Sequence, residues 1–168
     1  MKESMKSSCR SSEANVRAFL DMIAWAEIGA AMLAESNNGY NLLVGSLPGK
    51  LKIFHDYSDH PRILVKLNDK LSSTAAGRYQ ILRHIYDHYS KKLKLNSFYP
   101  DDQDAIAVEL IRERGSLQKI IDGDVIAGIV SVRKIWASLP GAGYGQGEKS
   151  VTSLVLAYRA AGGKLAGA

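Results

Sequence analysis

Glu27 is the residue whose type and position most favour acid–base chemistry in this sequence. The apolar residues before it recur with the i, i+3, i+4 and i+7 spacing of one helical face, namely Val16, Phe19, Leu20 and Ile23. A further step of four places Glu27 on the same face, where a charge is costly unless it is paired, hydrated or neutralised. A carboxyl group against apolar walls has a raised pKa and can act as a general acid. A solvent-facing residue at a frayed helix end is the alternative interpretation.

The glycine-rich run Leu139–Gly147 is the second feature that indicates a ligand site. Four glycines and Pro140 within nine residues exclude a regular helix or strand. Tyr144 lies among these glycines, and an exposed aromatic residue on a loop is more often a ligand platform than a core residue. The run lacks the Gly-Lys-Ser/Thr ending of a phosphate-binding loop. A flexible connection without a ligand is the alternative.

Other residues that could bind metal or act as nucleophiles have weaker patterns. His84 and His88 lie four apart on a predicted helix, but a zinc-protease helix requires glutamate where Ile85 follows the first histidine. We therefore expect neither a metal nor another cofactor. Cys9 is the single cysteine, so no intrachain disulfide can form, which is typical of a reducing compartment.

Composition and charge narrow the class of protein. With 168 residues, 46% hydrophobic and 23% charged, the chain fits one globular domain, or one domain with two lobes. Its net charge of +5 favours an anionic partner such as nucleic acid, a membrane surface or an acidic polymer. Lys91, Lys92 and Lys94 lack interleaved aromatic residues, which weakens the nucleic-acid interpretation. No apolar run reaches the ~18 residues of a membrane span, and residues 1–14 lack the apolar centre of a signal peptide.

The predicted elements are mostly helical, with one small sheet after the first helix. We predict a disordered, serine-rich lead over residues 1–12 and a first helix from Ser11–Glu13 to Glu27. A β-hairpin is predicted for Tyr40–Val44 and Leu51–Phe54. Further helices are predicted from Ala75 to Leu95, from Pro100 to Gly115, over Leu117–Ile121, after the capping residue Asp124, and from Ser150 to Ala161. We expect the tail beyond Gly163 to be loose.

Five stretches, in the same order along the chain, resemble the lambda-type phage endolysins. They are Ala24–Glu27, Asp56–Arg62, Ser73–Gln80, Gln103–Ala107 and Ile135–Gln146, and the resemblance extends from about Val16 to Gly163. It implies a lysozyme-like α+β fold, in which a mostly helical lobe and a small antiparallel β lobe flank a substrate cleft. The implied domain spans residues 13–163, with the β lobe at about 38–72 and a tail at 164–168.

The resemblance also implies the activity of a soluble lytic transglycosylase that lyses the host cell. Such an enzyme cleaves the β-1,4 bond between N-acetylmuramic acid and N-acetylglucosamine in peptidoglycan and leaves 1,6-anhydro-muramic acid ends. Glu27 matches the catalytic glutamate, while Tyr79, Gln80, Tyr144 and Gln146 match the borders of the sugar site. The resemblance implies a monomer without cofactor, nucleic-acid partner or stable membrane insertion. It would be made in the host cytoplasm without a signal peptide and would reach the murein through a separate holin.

Two alternatives remain open on chemical grounds. A transglycosylase needs one acid, because the sugar's own C6 hydroxyl can take the place of water. A muramidase needs a second carboxylate, for which Glu35, Asp56 and Asp59 are the candidates. A non-catalytic basic domain that binds murein, with a structural Glu27, is the other alternative.

Overall fold

The structure, a computed structural model, describes residues 2–145 and 147–167, with side chains described from residue 12 onwards. The chain forms two compact units, of which the first comprises residues 1–27 and 108–168 and the second residues 28–107. The helices are α1 (Lys2–Ile28), α2 (Ala30–Glu35), α3 (Arg83–Leu93), α4 (Pro100–Glu113), α5 (Leu117–Ile121), α6 (Val125–Val132) and α7 (Val151–Ala160). Among the helices of the described residues, none combines the length and hydropathy that a membrane span requires.

Helix α1 is longer than the sequence pattern predicts. It begins at Lys2 rather than at Ser11–Glu13, within the lead that the sequence analysis expects to be disordered. Those residues contain no glycine or proline and include lysine, glutamate, methionine and arginine, which favour helix. The helix ends at Ile28 because Gly29 adopts a φ of 87°, which a helix cannot continue.

The core of the first unit is built by the apolar faces of its helices. Its fully buried large side chains are Phe19, Met22, Ile23, Ile111, Ile120, Ile129, Leu139 and Tyr158. Two predicted helix starts are confirmed, since Asp124 accepts a hydrogen bond from the amide of Ala127 and Ser150 accepts one from the amide of Ser153.

The C-terminal tail is anchored, contrary to the expectation that residues 164–168 are loose. The amide of Lys164 donates to the side-chain oxygen of Asn15 at 2.9 Å, and the amide of Asn15's side chain donates to the carbonyl of Ile121 at 3.1 Å. The amide of Ala166 donates to the carbonyl of Gly123 at 3.1 Å. Buried Asn15 therefore fixes the tail at Lys164, because a buried amide side chain must find partners for its donor and acceptor, and Gly123 fixes it at Ala166.

The second unit contains less regular sheet than predicted. The expected hairpin is present as isolated bridges, with Leu42 opposite Ile53, rather than as two full strands. The strands are β1 (Val65–Lys66) and β2 (Ser72–Ser73), which pair antiparallel with Val65 opposite Ser73. Ser72–Ser73 is therefore a strand. The predicted small antiparallel sheet is confirmed, but it is formed by different residues.

The segment before α3 is a tight turn instead of the helix predicted from Ala75. Ala76 and Ile81 exchange backbone hydrogen bonds of 3.1 and 2.8 Å. Between them Gly77 and Gln80 have φ values of 77° and 48°. Left-handed residues at these two positions break a helix, so α3 begins only at Arg83.

Fully buried Gln103 connects this turn to the rest of the second unit. Its Oε1 accepts a hydrogen bond from the amide of Arg78 at 2.9 Å. Its Nε2 donates to the carbonyls of Tyr40 at 3.0 Å and Phe98 at 2.8 Å. One neutral side chain thus satisfies the backbone hydrogen-bonding groups of three segments. These hydrogen bonds stabilise a turn that has little regular structure of its own.

We expect Gly77→Ala to lower the free energy of unfolding by about 2 kcal/mol more than Gly49→Ala does. Both glycines have positive φ, at 77° and 70°, so both variants pay the same backbone strain. A Cβ at Gly77 would overlap the side chain of Gln103, whereas one at Gly49 meets nothing within 4 Å. Urea unfolding of the two variants measures the difference, and equal losses would contradict the proposed role of Gln103.

Candidate functional site

Glu27 lies one residue before the end of α1, on the helical face that buries Ile23. Its side chain is half-buried, and its Oε1 accepts two hydrogen bonds from Ser138. The backbone amide of Ser138 donates at 3.2 Å and the hydroxyl donates at 2.5 Å. The predicted position of Glu27 on the apolar face is therefore confirmed.

The pKa of Glu27 is raised above its ordinary value of 4.5 because burial disfavours the charged form. The two hydrogen bonds from Ser138 lower the pKa, but by less than burial raises it. Both hydrogen bonds that the described residues make to this carboxyl group go to Oε1. Oε2 is therefore the oxygen that can hold a proton and deliver it to a ligand, as a general acid requires.

Ser138 is a site residue that the sequence analysis missed. A single serine has no periodic pattern, and its one sequence clue is that it directly precedes the run Leu139–Gly147. The carbonyl of Ser138 accepts a hydrogen bond from the amide of Lys149 at 2.7 Å, so Ser138 is fixed by the far end of that run. The position of Glu27's hydrogen-bond donor thus depends on the glycine-rich loop.

The loop itself is irregular, as predicted. Gly141, Gly143 and Gly145 have φ values of 76°, 78° and 69°, which residues with a side chain rarely adopt. The carboxylate of Glu148 accepts hydrogen bonds from the amides of Gly141 at 2.8 Å and Gly143 at 2.9 Å. These two backbone hydrogen bonds lower the pKa of Glu148 below its ordinary value, so the group remains ionised.

Tyr144 has the exposure that the ligand-platform interpretation requires. Its side chain is 56% exposed, and its hydroxyl donates to the carbonyl of Lys134 at 3.0 Å. The hydrogen bond fixes the position of the ring while leaving much of its surface accessible. Gln146, the other site residue predicted in this loop, lies outside the described residues.

Tyr79 and Gln80 belong to the second unit, in the turn that precedes α3. Tyr79 is only 2% exposed, and its hydroxyl donates to Asp104 at 2.6 Å. The pKa of Tyr79 is raised well above 10.0 by burial, so the hydroxyl stays protonated. Gln80 is half-buried, and its side-chain amide donates to the carbonyl of Gly77 at 2.9 Å. Gln80 thus offers accessible polar atoms, whereas Tyr79 supports the turn from inside.

The candidate second carboxylates are each bound to another group of the second unit. Glu35 accepts a hydrogen bond from the amide of Gly49 at 2.7 Å. Asp56 accepts one from the amide of Ser58 at 2.8 Å, which lowers the pKa of Asp56. This is the bond to nearby backbone that an aspartate in a turn commonly makes.

Asp59 is engaged by an ion pair. It contacts Arg62 at 2.6 Å, and the hydrogen bond from this guanidinium group lowers the pKa of Asp59. Asp56 and Asp59 therefore stay ionised, and each is engaged by a nearby donor of the second unit.

The histidines show no arrangement that favours metal binding. His84 and His88 are exposed, and no group of three potential ligands occurs among the described residues. His60 is buried, with its Nε2 2.9 Å from the carbonyl of Ile81 and its Nδ1 accepting from the amide of Arg62 at 3.0 Å. Burial lowers the pKa of His60, so the imidazole is neutral and structural.

Comparison with known proteins identifies the family. The sequence profile of the endolysin family matches residues 17–165. The endolysin of Escherichia phage lambda is 49% identical over 148 residues, covering 88% of this chain and 90% of the relative. The endolysin of Escherichia phage P2 is 47% identical over 156 residues, covering 89% and 93%.

Solved structures agree with the sequence comparison. Lysozyme of bacteriophage lambda in complex with a chitohexasaccharide superposes with a TM-score of 0.83 and 48% identity, covering 90% of this chain and 96% of that one. A second structure of the same lysozyme gives a TM-score of 0.79 and 47% identity over the same shares of the two chains. The expected lysozyme-like α+β fold is therefore confirmed. The chain belongs to the endolysin family, whose members are phage enzymes that degrade peptidoglycan.

Proposed function

We propose that this endolysin is a lytic transglycosylase in which Glu27 serves first as general acid and then as general base. The observation that supports this most directly is the contrast among carboxyl groups. Glu27 is half-buried with a raised pKa, and the described residues bond only its Oε1, whereas Glu35, Asp56 and Asp59 are each bound to a donor of their own unit. Glu27 is therefore the best-placed acid, and none of the three candidate second carboxylates is comparably placed to activate water.

The reaction proceeds in two proton transfers. In the first, Oε2 of Glu27 protonates the glycosidic oxygen while the bond from that oxygen to C1 of N-acetylmuramic acid breaks, leaving an oxocarbenium-like centre. In the second, the C6 hydroxyl of the same sugar attacks C1 and its proton passes to the Glu27 carboxylate. The 1,6-anhydro ring closes, no water is consumed, and Glu27 is again protonated.

Ser138 adjusts Glu27 for both steps. Its hydroxyl and amide hydrogen bonds stabilise the carboxylate that exists between the two transfers. Burial meanwhile keeps the acid protonated at the outset. These opposing influences place the pKa between that of an ordinary glutamate and that of a carboxyl group buried without partners, which suits a group that must release and regain one proton.

The glycan strand is proposed to contact Gln80, Tyr144 and Gln146, with buried Tyr79 supporting the turn that contains Gln80. The exposed ring of Tyr144 can stack on the apolar face of a sugar. The chitohexasaccharide bound by lambda lysozyme supports an oligosaccharide as the ligand class. We further propose that the enzyme acts as a monomer without cofactor, and that it waits in the host cytoplasm until a separate holin gives access to the murein.

We expect Glu27→Gln to reduce murein turnover by about a hundredfold or more, because Gln keeps the shape of the side chain but cannot deliver a proton. Glu35→Gln is the matched control, since its amide oxygen can still accept from Gly49. Loss of turbidity of chloroform-treated Gram-negative cells measures turnover. Activity of Glu27→Gln within about tenfold of wild type would be inconsistent with Glu27 as the sole acid and would point to Glu35 or an aspartate instead.

The same variant has a defined effect on stability. Because the pKa of Glu27 is raised in the folded state, ionisation of Glu27 opposes folding, and this loss appears as pH rises above the unfolded value of 4.5. Glu27→Gln does not lose this stability. The difference between its melting temperature and that of wild type should therefore grow in favour of the variant as pH rises through the pKa of Glu27. A difference that grows instead towards acid pH would show that the carboxylate stabilises the fold.

We expect Ser138→Ala to move the alkaline limb of the pH–rate profile to higher pH. The variant removes the hydroxyl donor that lowers the pKa of Glu27, so the acid stays protonated to a higher pH. Ser131→Ala is the control, because among the described residues that hydroxyl bonds within α6 and to Lys119, away from Glu27. A limb that stays in place or moves to lower pH would mean that Ser138 does not adjust the acid.

Product analysis separates the transglycosylase from the muramidase. Without a base for water, the C6 hydroxyl is the nearest nucleophile at high effective concentration. We therefore expect muropeptides lighter than hydrolysis products by one water, about 18 Da, with ends that resist borohydride reduction. Mass spectrometry of a complete digest in oxygen-18 water measures this. Reducible muramic ends that contain oxygen-18 would establish hydrolysis and a two-carboxylate mechanism.

A further inference from the structure

The segment from Ser138 to Lys149 forms a closed loop whose base contacts Glu27. At one end Ser138 donates to Glu27 through its amide and hydroxyl. At the other end the amide of Lys149 donates to the carbonyl of Ser138 at 2.7 Å. The position of Ser138 is therefore set from both sides, by Glu27 on α1 and by the backbone that follows Glu148.

The carboxylate of Glu148 closes this loop from within. Its Oε2 accepts from the amide of Gly141 at 2.8 Å and its Oε1 accepts from the amide of Gly143 at 2.9 Å. We call this pair of hydrogen bonds the Glu148 bridge. Both glycines have positive φ, which directs their two amides to the same acceptor in a way that side-chain-bearing residues rarely achieve.

A second set of contacts fixes the outer part of the same loop. The Nζ of Lys134 donates to the carbonyl of Ala142 at 2.7 Å, and the hydroxyl of Tyr144 donates to the carbonyl of Lys134 at 3.0 Å. The bridge and these contacts leave the backbone between Ser138 and Tyr144 few alternative conformations. This backbone has two glycines at positive φ, Gly141 and Gly143, and would otherwise sample many.

We propose that Glu148 is a positioning residue, which holds Ser138 in the place where it adjusts the acid Glu27. This inference rests on the proposed function of Glu27. Glu148 need not touch the substrate, because it acts through the two glycine amides, the loop backbone and Ser138. A carboxylate suits the task because its two oxygens accept one amide each, whereas a glutamine has a single acceptor oxygen.

The charges around the Glu148 bridge keep it formed. Lys134 lies close enough to lower the pKa of Glu148, and the guanidinium of Arg133 lies 3.6 Å from the point above Gly141 where a Cβ would project. Lys149 is the next residue in the sequence. All three groups are cationic, and Lys134 is the one that favours the ionised carboxylate of the bridge by lowering its pKa.

The test compares Glu148→Gln with the control variant Asp122→Asn. Asp122 is an exposed carboxylate of the same unit, and it accepts a side-chain hydrogen bond from Gln118. Carbon-13 NMR of the Glu27 carboxyl group measures its pKa without requiring turnover. We expect Glu148→Gln to raise the pKa of Glu27, as Ser138→Ala does, because released loop backbone lets the Ser138 donors move away. Asp122→Asn should leave that pKa unchanged. A Glu27 pKa equal to that of wild type in Glu148→Gln would overturn the proposal.

The kinetic arm tests whether Glu148 and Ser138 act as a unit. We expect kcat of Glu148→Gln to fall about tenfold while its melting temperature stays near that of wild type, because a small displacement of catalytic groups is costly to rate. The double variant with Ser138→Ala should lose little more than the worse single variant. Losses that multiply would show that Glu148 acts independently of Ser138 and would overturn the proposal.

The NMR and kinetic measurements distinguish failure of the proposed function from failure of the inference about Glu148. A wild-type protein that leaves murein intact would contradict the proposed function, and the NMR arm would still decide whether Glu148 positions Ser138. Conversely, the enzyme could be active while the pKa of Glu27 is the same with and without the Glu148 carboxylate. That result would leave the proposed function intact and would contradict the role of Glu148. Amide proton shifts of Gly141 and Gly143 provide the local check, since in wild type both should follow the titration of Glu148.

Discussion

The pair of hydrogen bonds from Ser138 to Glu27 is the interaction on which the candidate site depends. It joins residues 111 positions apart in the sequence and brings the end of α1 together with the start of the glycine-rich loop. A carboxyl group buried without donors would stay neutral throughout and could not act as a base. A fully solvated one would be ionised and could not act as an acid. Ser138 and burial together suit both roles that we propose for this one side chain.

In the second unit, too, a buried polar side chain fixes irregular backbone through hydrogen bonds, but there the side chain is neutral. Gln103 is buried and satisfies the backbone of Arg78, Tyr40 and Phe98 with three hydrogen bonds. It fixes a turn that contains Gln80 without introducing a group that titrates. Tyr79 adds to this through its bond to Asp104. Buried polar residues with complete hydrogen bonding therefore position irregular backbone in both units, where short strands and glycine turns supply few ladder bonds of their own.

The sequence predicted best what depends on local pattern, such as Glu27 on its apolar face and the cap at Asp124. It failed where distant partners override a local preference. The spacing of Tyr79 with Leu82 and the residues beyond indicated a helix, but the turn at Gly77 and the distant acceptor of Gln103 impose a left-handed path. Ser138 could not be found from periodicity, because its role arises from a contact with α1. In both of these cases the decisive partner is far away in the sequence.

The pKa values of two carboxyl groups of the first unit are shifted in opposite directions from the ordinary glutamate value of 4.5. Burial raises the pKa of Glu27, whereas two glycine amides and nearby Lys134 lower that of Glu148. Between the two values there is a pH range in which Glu148 is ionised and can hold the loop while Glu27 is protonated and can donate. Such a separation of titrating groups by their surroundings is how one fold assigns different tasks to one residue type. Each group depends on its own surroundings for this protonation state. An exposed Glu27 would lose its proton across that pH range, and a buried Glu148 would lose the charge that orders the loop.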